Sequence, residues 1–498
     1  QAVHAPEGLA GAGAWGRLGG TMQLPDHKTK IVATLGPASC SPEMIERLIR
    51  AGLNIARLNF SHGEFAVHAE WIARIRAAER ATGRRVAIMA DLPGPKMRVG
   101  KIDPEPIQLL PGQAFTLTPD ELVGNQERVS MSFARLPRVV KAGDRLFLND
   151  GLVQLLVERV VGNDVICKVA VGGELRSRKG LNLPGIDLGI SAFTEHDRSC
   201  LEFALQHGVD AVSQSFVETA ADIEAVRAAA RALGKQPFII AKIERSGALE
   251  HFDEILKAAD GIMVARGDLG VEVPIKEIAL TQKRLIARAN LAGKPVITAT
   301  QMLESMVASR LPTRAEATDV ANAILDGTDG IMLSAESATG KYPEEAVSML
   351  AGIAAATEAG RPQGRLQELR ALCLGQKPAS AAEAIASVVE HAMESVPFSA
   401  MFVPTHTGTT ARMISRYKPS VWIAAISHDP VVCQGLAFSY GVFPVELAEA
   451  PSQWKDFARD WLREHQVPGH IAMLVAGPSQ RNPDANYRIE FMKVGEKR

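Results

Sequence analysis

Short apolar runs that turn abruptly polar recur along the chain between residues 30 and 336. Each run is apolar and β-branched for several positions, as expected for a strand buried on both faces, and segments with helical spacing separate many of the runs. The pattern predicts alternating strands and helices. The eight runs are KIVATLG, IARLNFS, VAIMAD, AVSQSFV, FIIAKIE, GIMVARG, PVITATQ and GIMLSAE.

Eight strand and helix units predict a closed (β/α)8 barrel, the TIM-barrel type of α/β fold. The predicted helices include 42–51, 64–82, 276–292 and 314–325. An open doubly wound sheet is the alternative, but the even number of units and the lack of a GxGxxG turn disfavour it. In a barrel the chemistry lies at the C-terminal ends of the strands, so the polar residues that end the runs are the candidates for an active site.

The rhythm changes over residues 99–190, where short alternating stretches separated by Gly and Asn/Asp turns predict an inserted antiparallel β-barrel domain. An insertion at the catalytic end of a barrel is well placed to act as a lid. The barrel then comprises 22–98 and 191–360. A Pro/Gly/Gln-rich connector begins the third unit, 361–498, where strands alternate with helices and predict a compact α/β domain.

Composition narrows the range of partners. The chain has 498 residues, of which 46% are hydrophobic and 22% charged, as is typical of a globular protein with several domains. Its net charge of -1 disfavours binding to nucleic acid or to a membrane surface. No uninterrupted apolar stretch reaches membrane-spanning length.

The cysteines and the N-terminal segment carry less information. Five scattered cysteines without a CxxC spacing predict neither a disulfide framework nor a zinc site, so a reducing cytoplasm is expected. Residues 1–21 are rich in Gly and Ala and follow no period. We expect this segment to lie outside the fold, as a flexible leader, upstream translated sequence or a cloning remnant.

Long motifs occur in a fixed order from about residue 22 to the C-terminal domain. They are KIVATLGPAS, ARLNFSHG, DLPGPKMR, KGLNLPG, KIERSGALEHFDEIL, DGIMVARGDLGVEVP, ATQMLESM, PTRAEATDVANAILDGTDGIMLSAESATGKYPEEAV and THTGTTAR. Over nearly its whole length the chain therefore resembles the pyruvate kinases. The resemblance implies a phosphotransferase that moves phosphoryl from phosphoenolpyruvate to ADP, giving pyruvate and ATP in the last step of glycolysis. It also implies a homotetramer.

The polar ends of two successive runs suit this chemistry. Glu244 and Asp268 offer hard oxygen ligands for Mg2+ or Mn2+, with the substrate completing the coordination shell. Lys242 lies two residues before Glu244, so both side chains point to the same side of an extended strand. The Lys242 ammonium can then neutralise the enolate that remains when the phosphoryl group departs.

The resemblance adds residues around this centre. Groups that hold the substrate carboxylate and the metal are implied at Ala265, Gly267, Asp268 and Thr300. Thr300 would also position the water that protonates enolpyruvate, together with Ser334 and Glu336. A strand-end carboxylate such as Asp91, taken alone, is more often a helix N-cap.

Polar residues alternate along the second predicted strand and therefore share one of its faces. They are Arg57, Asn59 and Ser61, and His62 lies next to them. Arg57 is the expected phosphoryl clamp. Arg98 at the entrance to the inserted domain and Lys179 near its exit resemble the family's residues that hold ADP when the lid closes, together with Asn59 and His62. Without its motif, Lys179 would be interpreted as a solvated lysine.

The segment DLPGPKMR departs from the commoner family pattern. Many members bind K+ through residues that match Asn59, Ser61, Asp91 and a threonine that follows the aspartate. Here Leu92 stands in place of the threonine and has no oxygen to offer, and Lys96 replaces a glutamate. Because a lysine ammonium can stand where the monovalent cation would sit, we expect activity that does not require K+.

A second phosphate signal lies in the third domain. A strand is followed by a threonine-rich loop that opens a helix, and its residues are Thr405, Thr407, Gly408, Thr409 and Thr410. Hydroxyls and free N–H groups then converge at the positive end of a helix dipole. In pyruvate kinases the matching loop binds the phosphate of an allosteric activator. A sugar monophosphate, AMP and fructose 1,6-bisphosphate all fit, and a threonine-rich cap that satisfies only its own helix is the alternative.

Two rival functions are compatible with parts of the pattern. Another barrel enzyme that handles phosphoenolpyruvate or its enolate, such as a dikinase or a mutase-lyase relative, would lack the Lys179 motif. A dikinase would also carry a phosphohistidine domain. A metabolite sensor built on an inactive kinase would need losses among Lys242, Glu244, Asp268 or Thr300, and all four are present.

Overall fold

The structure is a computed structural model that describes residues 23–361, 371, 380–477 and 486–495. The predicted leader 1–21 and most of the connector after residue 361 lie outside the described residues. Within the described ranges, no helix is long and apolar enough to cross a membrane.

The strands of the described residues form four sheets. In chain order they are β1 (Lys30–Thr34), β2 (Leu53–Asn59), β3 (Ala87–Leu92), β4 (Ile107–Leu109), β5 (Ala114–Thr118), β6 (Arg128–Ser130), β7 (Arg145–Leu148), β8 (Val153–Val161), β9 (Asp164–Val171), β10 (Gly173–Leu175), β11 (Leu181–Asn182), β12 (Ala211–Gln214), β13 (Phe238–Ile243), β14 (Gly261–Ala265), β15 (Val296–Ala299), β16 (Gly330–Leu333), β17 (Ala400–Pro404), β18 (Trp422–Ser427), β19 (Val442–Glu446), β20 (Ile471–Ala476) and β21 (Arg488–Lys493).

Helices connect most of these strands. The α-helices are Pro42–Ala51, Phe65–Thr82, Leu136–Val139, Glu195–Gln206, Ala220–Ala232, Ser246–Glu250, Phe252–Ala258, Arg266–Glu272, Ile278–Leu291, Arg314–Leu325, Ala335–Ala338, Pro343–Ala359, Ala381–Ser395, Thr409–Ser415, Pro430–Leu436 and Trp454–Glu464. Two 3-10 turns are Ile275–Glu277 and Glu304–Val307.

Eight parallel strands close the barrel in the order β1-β16-β15-β14-β13-β12-β3-β2. Alternate residues of each strand face opposite sides, so Ile31 packs with the surrounding helices while Val32 packs with Ile55 and Met89 in the barrel interior. The closed barrel is confirmed, and the open doubly wound sheet is excluded.

The inserted domain has its own sheet and core. Six strands pair in the order β11-β7-β8-β9-β5-β6, and β10 pairs with β4 in a separate ribbon. Phe115, Leu146 and Leu155 are fully buried between them. The two chain segments that join this domain to the barrel run side by side, because Val99 N donates to Lys179 O at 2.9 Å and Arg98 bridges Gly180. A separate β domain on a double connection is therefore confirmed.

The C-terminal domain is a five-stranded sheet in the order β19-β18-β17-β20-β21, in which β21 runs antiparallel to β20. It meets the floor of the barrel through a buried ion pair, with Lys418 Nζ 2.8 Å from Asp329 Oδ1. The same oxygen accepts the backbone N–H of Tyr440 at 2.9 Å. Asp329 thus ties the start of β16 to two segments of the third domain.

Candidate active site

Asp91 gathers the cations at the C-terminal mouth of the barrel. Its carboxylate accepts Arg57 Nε at 3.0 Å and also pairs with the outer nitrogen Nη2 of the same guanidinium. Lys242 Nζ lies 3.5 Å from it, and Ser213 Oγ donates to it at 2.7 Å. Since β2, β3, β12 and β13 are neighbours in the barrel, these residues meet although they are far apart in the sequence.

Asp91 stays ionised in these surroundings. Burial alone would raise the pKa of its carboxyl, but the positive charges of Lys242 and Arg57 outweigh burial and lower the pKa to about 2. The N-cap interpretation of Asp91 is wrong, because the residue lies within β3 and its oxygens face the barrel mouth. Asp91 instead holds two cationic side chains in place.

Lys242 and Glu244 extend the network along the end of β13. Lys242 Nζ donates to Ser215 Oγ at 2.7 Å and lies 3.3 Å from Glu244 Oε2. Burial lowers the pKa of Lys242, and the charges of Asp91 and Glu244 more than offset this effect, so the pKa is raised. The ammonium is therefore held charged at the mouth.

Glu244 has an oxygen available for a ligand. Its Oε1 accepts the N–H of Phe216 at 2.6 Å, whereas Oε2 is buried and has no hydrogen-bond partner among the described residues. Burial, together with the smaller effect of the Asp268 charge, outweighs the nearby Lys242 and raises the pKa of this carboxyl to about 7. A second carboxylate, Asp268, beside a buried oxygen that has an ion-pair partner but no hydrogen bond is a donor set that fits a divalent cation.

Asp268 was predicted to lie at the end of a strand. It lies instead in the helix Arg266–Glu272 that follows β14. Asn182 Nδ2 at the end of β11 approaches Asp268 Oδ1 at 3.4 Å, so the inserted domain reaches the metal-ligand candidates. Among the described residues, no cluster of three or more His, Cys, Asp or Glu side chains is arranged to hold a metal. Two carboxylates leave room for substrate oxygens and water, as Mg2+ prefers.

The segment after β15 has an unusual backbone. Thr300 and Gln301 both have positive φ, +76° and +55°, which is uncommon for a residue with a Cβ and most costly for a branched one. Gly267 packs directly on Thr300, because a Cβ at position 267 would lie 2.9 Å from Thr300 Cγ2. The structure thus brings Thr300 against the helix that begins after Ala265.

Ser334 and Glu336 lie on the other side of this segment. Glu336 is completely buried in the short helix after β16 rather than on the strand itself. Its carboxylate accepts Leu303 N at 3.2 Å and Ser334 N at 2.7 Å. Glu336 therefore braces the Thr300 segment against the end of β16.

Several of the predicted nucleotide and K+ residues lie around the same opening, whereas Lys179 lies at the connection to the inserted domain. The pKa of His62 is lowered, although the residue is exposed. Partial burial of the ring has the largest effect, and the positive charges of Lys96, Arg98 and Arg57 add to it. Ser61 was predicted to share a face of β2 with Arg57 and Asn59, but it lies in the turn beyond the strand. There its N–H donates to Asn59 Oδ1 at 3.1 Å. Four basic groups therefore share one side of the mouth.

Lys96 lies near Asp91 without direct contact. Its surroundings and the charge of Lys242 lower its pKa to about 8, and Asp91 opposes this change. Its side chain is largely exposed and forms no ion pair with a carboxylate in the described part of the chain. The ammonium is thus within the electrostatic reach of the predicted cation site.

Sequence reasoning missed several polar partners. Ser213 and Ser215 lie two residues apart in and after β12, and Thr34 Oγ1 at the end of β1 accepts Arg57 Nη1 at 2.8 Å. The signal that could have found them was the occurrence of small hydroxyl residues at the polar ends of otherwise apolar strands. Asn182 carried no such signal, because it reaches the site from another domain.

Comparison with known proteins agrees with this geometry. Residues 26–347 match the family described as "Pyruvate kinase, barrel domain", and residues 383–484 match "Pyruvate kinase, alpha/beta domain". The chain belongs to the pyruvate kinase family. It is accordingly a phosphotransferase, as the resemblance of the motifs implied.

Individual pyruvate kinases are similar over most of their length. The chain is 50% identical over 429 residues to the pyruvate kinase of Thermococcus litoralis, covering 86% of this chain and 90% of the relative. It is 41% identical over 421 residues to that of Clostridium acetobutylicum, covering 84% and 88%. The crystal structure of a pyruvate kinase from Cryptosporidium parvum has a TM-score of 0.87 at 35% identity and covers 94% of this chain and 97% of that chain.

Replacing Asp91 with asparagine keeps the size of the side chain but removes the charge that Arg57 and Lys242 share. Because the folded-state pKa lies below the unfolded value of about 3.9, the contribution to stability is present above this value and is lost as pH falls toward about 2. We expect Asp91→Asn to lower the free energy of unfolding by roughly 2 kcal/mol near neutral pH, and by less below about pH 4.

Urea unfolding followed by circular dichroism at several pH values measures this difference. Asp103→Asn, at an exposed aspartate of the lid domain, is the matched control and should have little effect. If Asp91→Asn lowers the free energy of unfolding by the same amount at acidic and at neutral pH, the charge-pairing explanation is contradicted.

Proposed function

We propose that this chain transfers phosphoryl from phosphoenolpyruvate to ADP at the mouth of the barrel, with Lys242 facing the reacting oxygen. The observation that carries this proposal is the Lys242 ammonium, which lies 3.5 Å from the Asp91 carboxylate and 3.3 Å from the buried Oε2 of Glu244, an oxygen that accepts no hydrogen bond within the described residues. Positive charge held in advance is what phosphoryl transfer requires of a protein.

The chain's groups divide the reaction between them. Arg57 clamps the phosphoryl oxygens while the bond between phosphorus and the enol oxygen breaks and a bond to the terminal phosphate of ADP forms. Lys242 neutralises the enolate that is left, and Thr300 with Ser334 and Glu336 positions the water that delivers a proton to its methylene carbon. Ala265, Gly267 and Thr300 hold the substrate carboxylate.

Glu244 and Asp268 would hold the divalent cation, Mg2+ or Mn2+. When bound, this ion neutralises charge on the substrate oxygens and orients them. The support is that Glu244 Oε2, although ion-paired with Lys242, accepts no hydrogen bond within the described residues, and that the charge of Asp268 raises the pKa of Glu244.

Lys242→Met removes the cation while keeping much of the side-chain length. We expect kcat to fall by about 10³-fold, because a charge aimed at the reacting oxygen contributes mainly in the transition state, and KM for phosphoenolpyruvate to change much less. Coupled assays of pyruvate formation with Mg2+ measure both constants. Lys235→Met, at an exposed lysine, is the control, and an unchanged kcat in Lys242→Met would refute the assignment.

The inserted domain is proposed to act as a lid. The proposed domain spans residues 99–190, between the barrel segments 22–98 and 191–360. Its two antiparallel connections, which pair at Arg98 and Gly180, would act as the hinge. On closure, Arg98 and Lys179 would contact ADP together with Asn59 and His62. Exclusion of water would protect the phosphoryl group from hydrolysis.

Lys96 is proposed to replace a monovalent cation near Asn59, Ser61 and Asp91. One support is that the charges of Lys242 and Asp91 both act on Lys96. The other is that Leu92 offers no oxygen to a K+ ion. Activity is therefore proposed not to require K+.

Lys96→Glu reverses this charge. Wild type should be active in buffers free of alkali cations, while Lys96→Glu should lose at least about 10-fold in kcat/KM and recover when KCl is added, because K+ then supplies the missing charge. Initial rates over a KCl series, with tetramethylammonium chloride at equal ionic strength as control, measure the effect. A wild type that is inactive without K+ would disprove the internal-cation proposal.

The loop Thr405–Thr410 is proposed to bind the phosphate of an allosteric activator, and the C-terminal unit 361–498 to be regulatory. Thr407 and Thr409 line a cleft of about 380 Å³ whose walls also carry Arg227, Lys294 and Arg412. In this structure the loop caps itself, since Thr405 Oγ1 accepts Gly408 N at 2.9 Å. A phosphate would therefore have to replace these internal bonds, and the nearby cations would favour the exchange.

Arg412→Met should weaken activation without changing basal activity. We expect the concentration needed for half-maximal activation to rise about 10-fold, because a charge-assisted bond to phosphate is lost. Titrations with ribose 5-phosphate, AMP and fructose 1,6-bisphosphate measure it, with Arg463→Met on an exposed helix of the same domain as control. Failure of all three phosphates to activate wild type would overturn the effector proposal.

A homotetramer in the cytoplasm is proposed as the working form. Within the described residues, β21 pairs with a strand on one side only. Phe491 on this strand and Tyr487 just before it are about half exposed, while Ile275, Leu280 and Leu311 are 65–75% exposed on the barrel. Both surfaces suit a second copy of the chain. Light scattering should give the mass of four chains of 53.4 kDa, and a monomer would contradict the proposal.

The described cysteines are free, as in a reducing compartment.

A further inference from the structure

The guanidinium of Arg266 binds the backbone that carries Thr300. Arg266 Nε and Nη2 donate to Thr300 O at 3.2 and 2.8 Å, and Nη2 also donates to Gln301 O at 3.3 Å. These carbonyls belong to the two residues of positive φ, +76° and +55°. Unfavourable backbone conformations persist only where surrounding contacts impose them, and they concentrate at functional sites.

Arg266 is itself held from the opposite side. Its Nη1 donates to Asp319 Oδ2 at 2.7 Å and to Gln282 Oε1 at 3.3 Å, and its side chain is only 12% exposed. Asp319 lies on the helix Arg314–Leu325 and Gln282 on the helix Ile278–Leu291. The planar fork of an arginine can bond a carboxylate on one edge and carbonyls on the other, which a lysine cannot do.

The same residue begins the helix that contains Gly267 and Asp268. One side chain therefore links the turn after β14, the segment after β15 and two outer helices. We propose that Arg266 is a positioning residue, which fixes the strained Thr300–Gln301 backbone so that the Thr300 hydroxyl faces the substrate. This inference rests on the role proposed above for Thr300.

A double-mutant cycle separates positioning from general structural support. Arg266→Met should lower kcat about 30-fold in the wild-type background, because small displacements of a reacting group are costly, while KM for phosphoenolpyruvate changes less than about 3-fold. In a Thr300→Ala background the same change should lower kcat by less than about 3-fold, since the hydroxyl to be positioned is already absent.

Two gentler variants protect the test from misfolding. Arg266→Lys keeps the charge but loses the fork, and Asp319→Asn keeps the shape of the outer anchor, which is about 39% exposed. In the wild-type background each should lower kcat about 3- to 10-fold. In the Thr300→Ala background each should leave kcat nearly unchanged. Arg288→Met, at an exposed arginine that pairs with Asp253, is the control and should leave kcat unchanged.

The outcomes distinguish the two proposals. If Arg266→Met, Arg266→Lys and Asp319→Asn each lower kcat equally in both backgrounds, or leave kcat unchanged, positioning through Thr300 is overturned while the role of Thr300 stands. If Thr300→Ala alone keeps full activity, the role of Thr300 falls and the positioning inference falls with it. Circular dichroism and thermal melting of each variant verify that the compared proteins are folded.

Discussion

The buried charge of Asp91 is the constraint around which the barrel mouth is organised. An ionised carboxylate that is 2% exposed is costly unless cations and hydroxyls surround it, and here Arg57, Lys242 and Ser213 do so. Meeting this requirement fixes two cationic side chains on two different strands. In the same arrangement Glu244 Oε2 has the Lys242 ammonium as an ion-pair partner but accepts no hydrogen bond within the described residues, so the site is preorganised for a ligand that brings its own charges.

The barrel supplies the frame and the other two domains attach at its opposite ends. Asn182 of the inserted domain approaches Asp268 at the mouth, and the buried pair between Lys418 and Asp329 joins the C-terminal domain to the floor. Each outer domain therefore contacts a part of the barrel that also carries candidate site residues. Phe238 at the start of β13 stacks on Phe438 of the third domain, and Lys242 lies near the other end of the same strand.

The strand and helix rhythm was predictable because period and burial act locally. The helix 314–325 has the predicted bounds, and Lys242 and Glu244 could be paired from their spacing of two. The partners of Asp91 could not be found in this way, because Arg57 and Lys242 are 34 and 151 residues distant and meet only through the strand order. Strand β21 escaped prediction since its mostly exposed residues lack the apolar signature of a buried strand.

Phosphorus NMR of a mixture of phosphoenolpyruvate, ADP and Mg2+ tests most directly whether this barrel mouth passes phosphoryl between two bound substrates. We expect the signal of phosphoenolpyruvate to be replaced by the three signals of ATP, in equal amount to the pyruvate formed. Accumulation of inorganic phosphate would show hydrolysis at an open site. A carbon-bound phosphorus signal, or loss of phosphoenolpyruvate only when AMP and pyrophosphate replace ADP, would indicate a different enolate chemistry and contradict phosphoryl transfer to ADP.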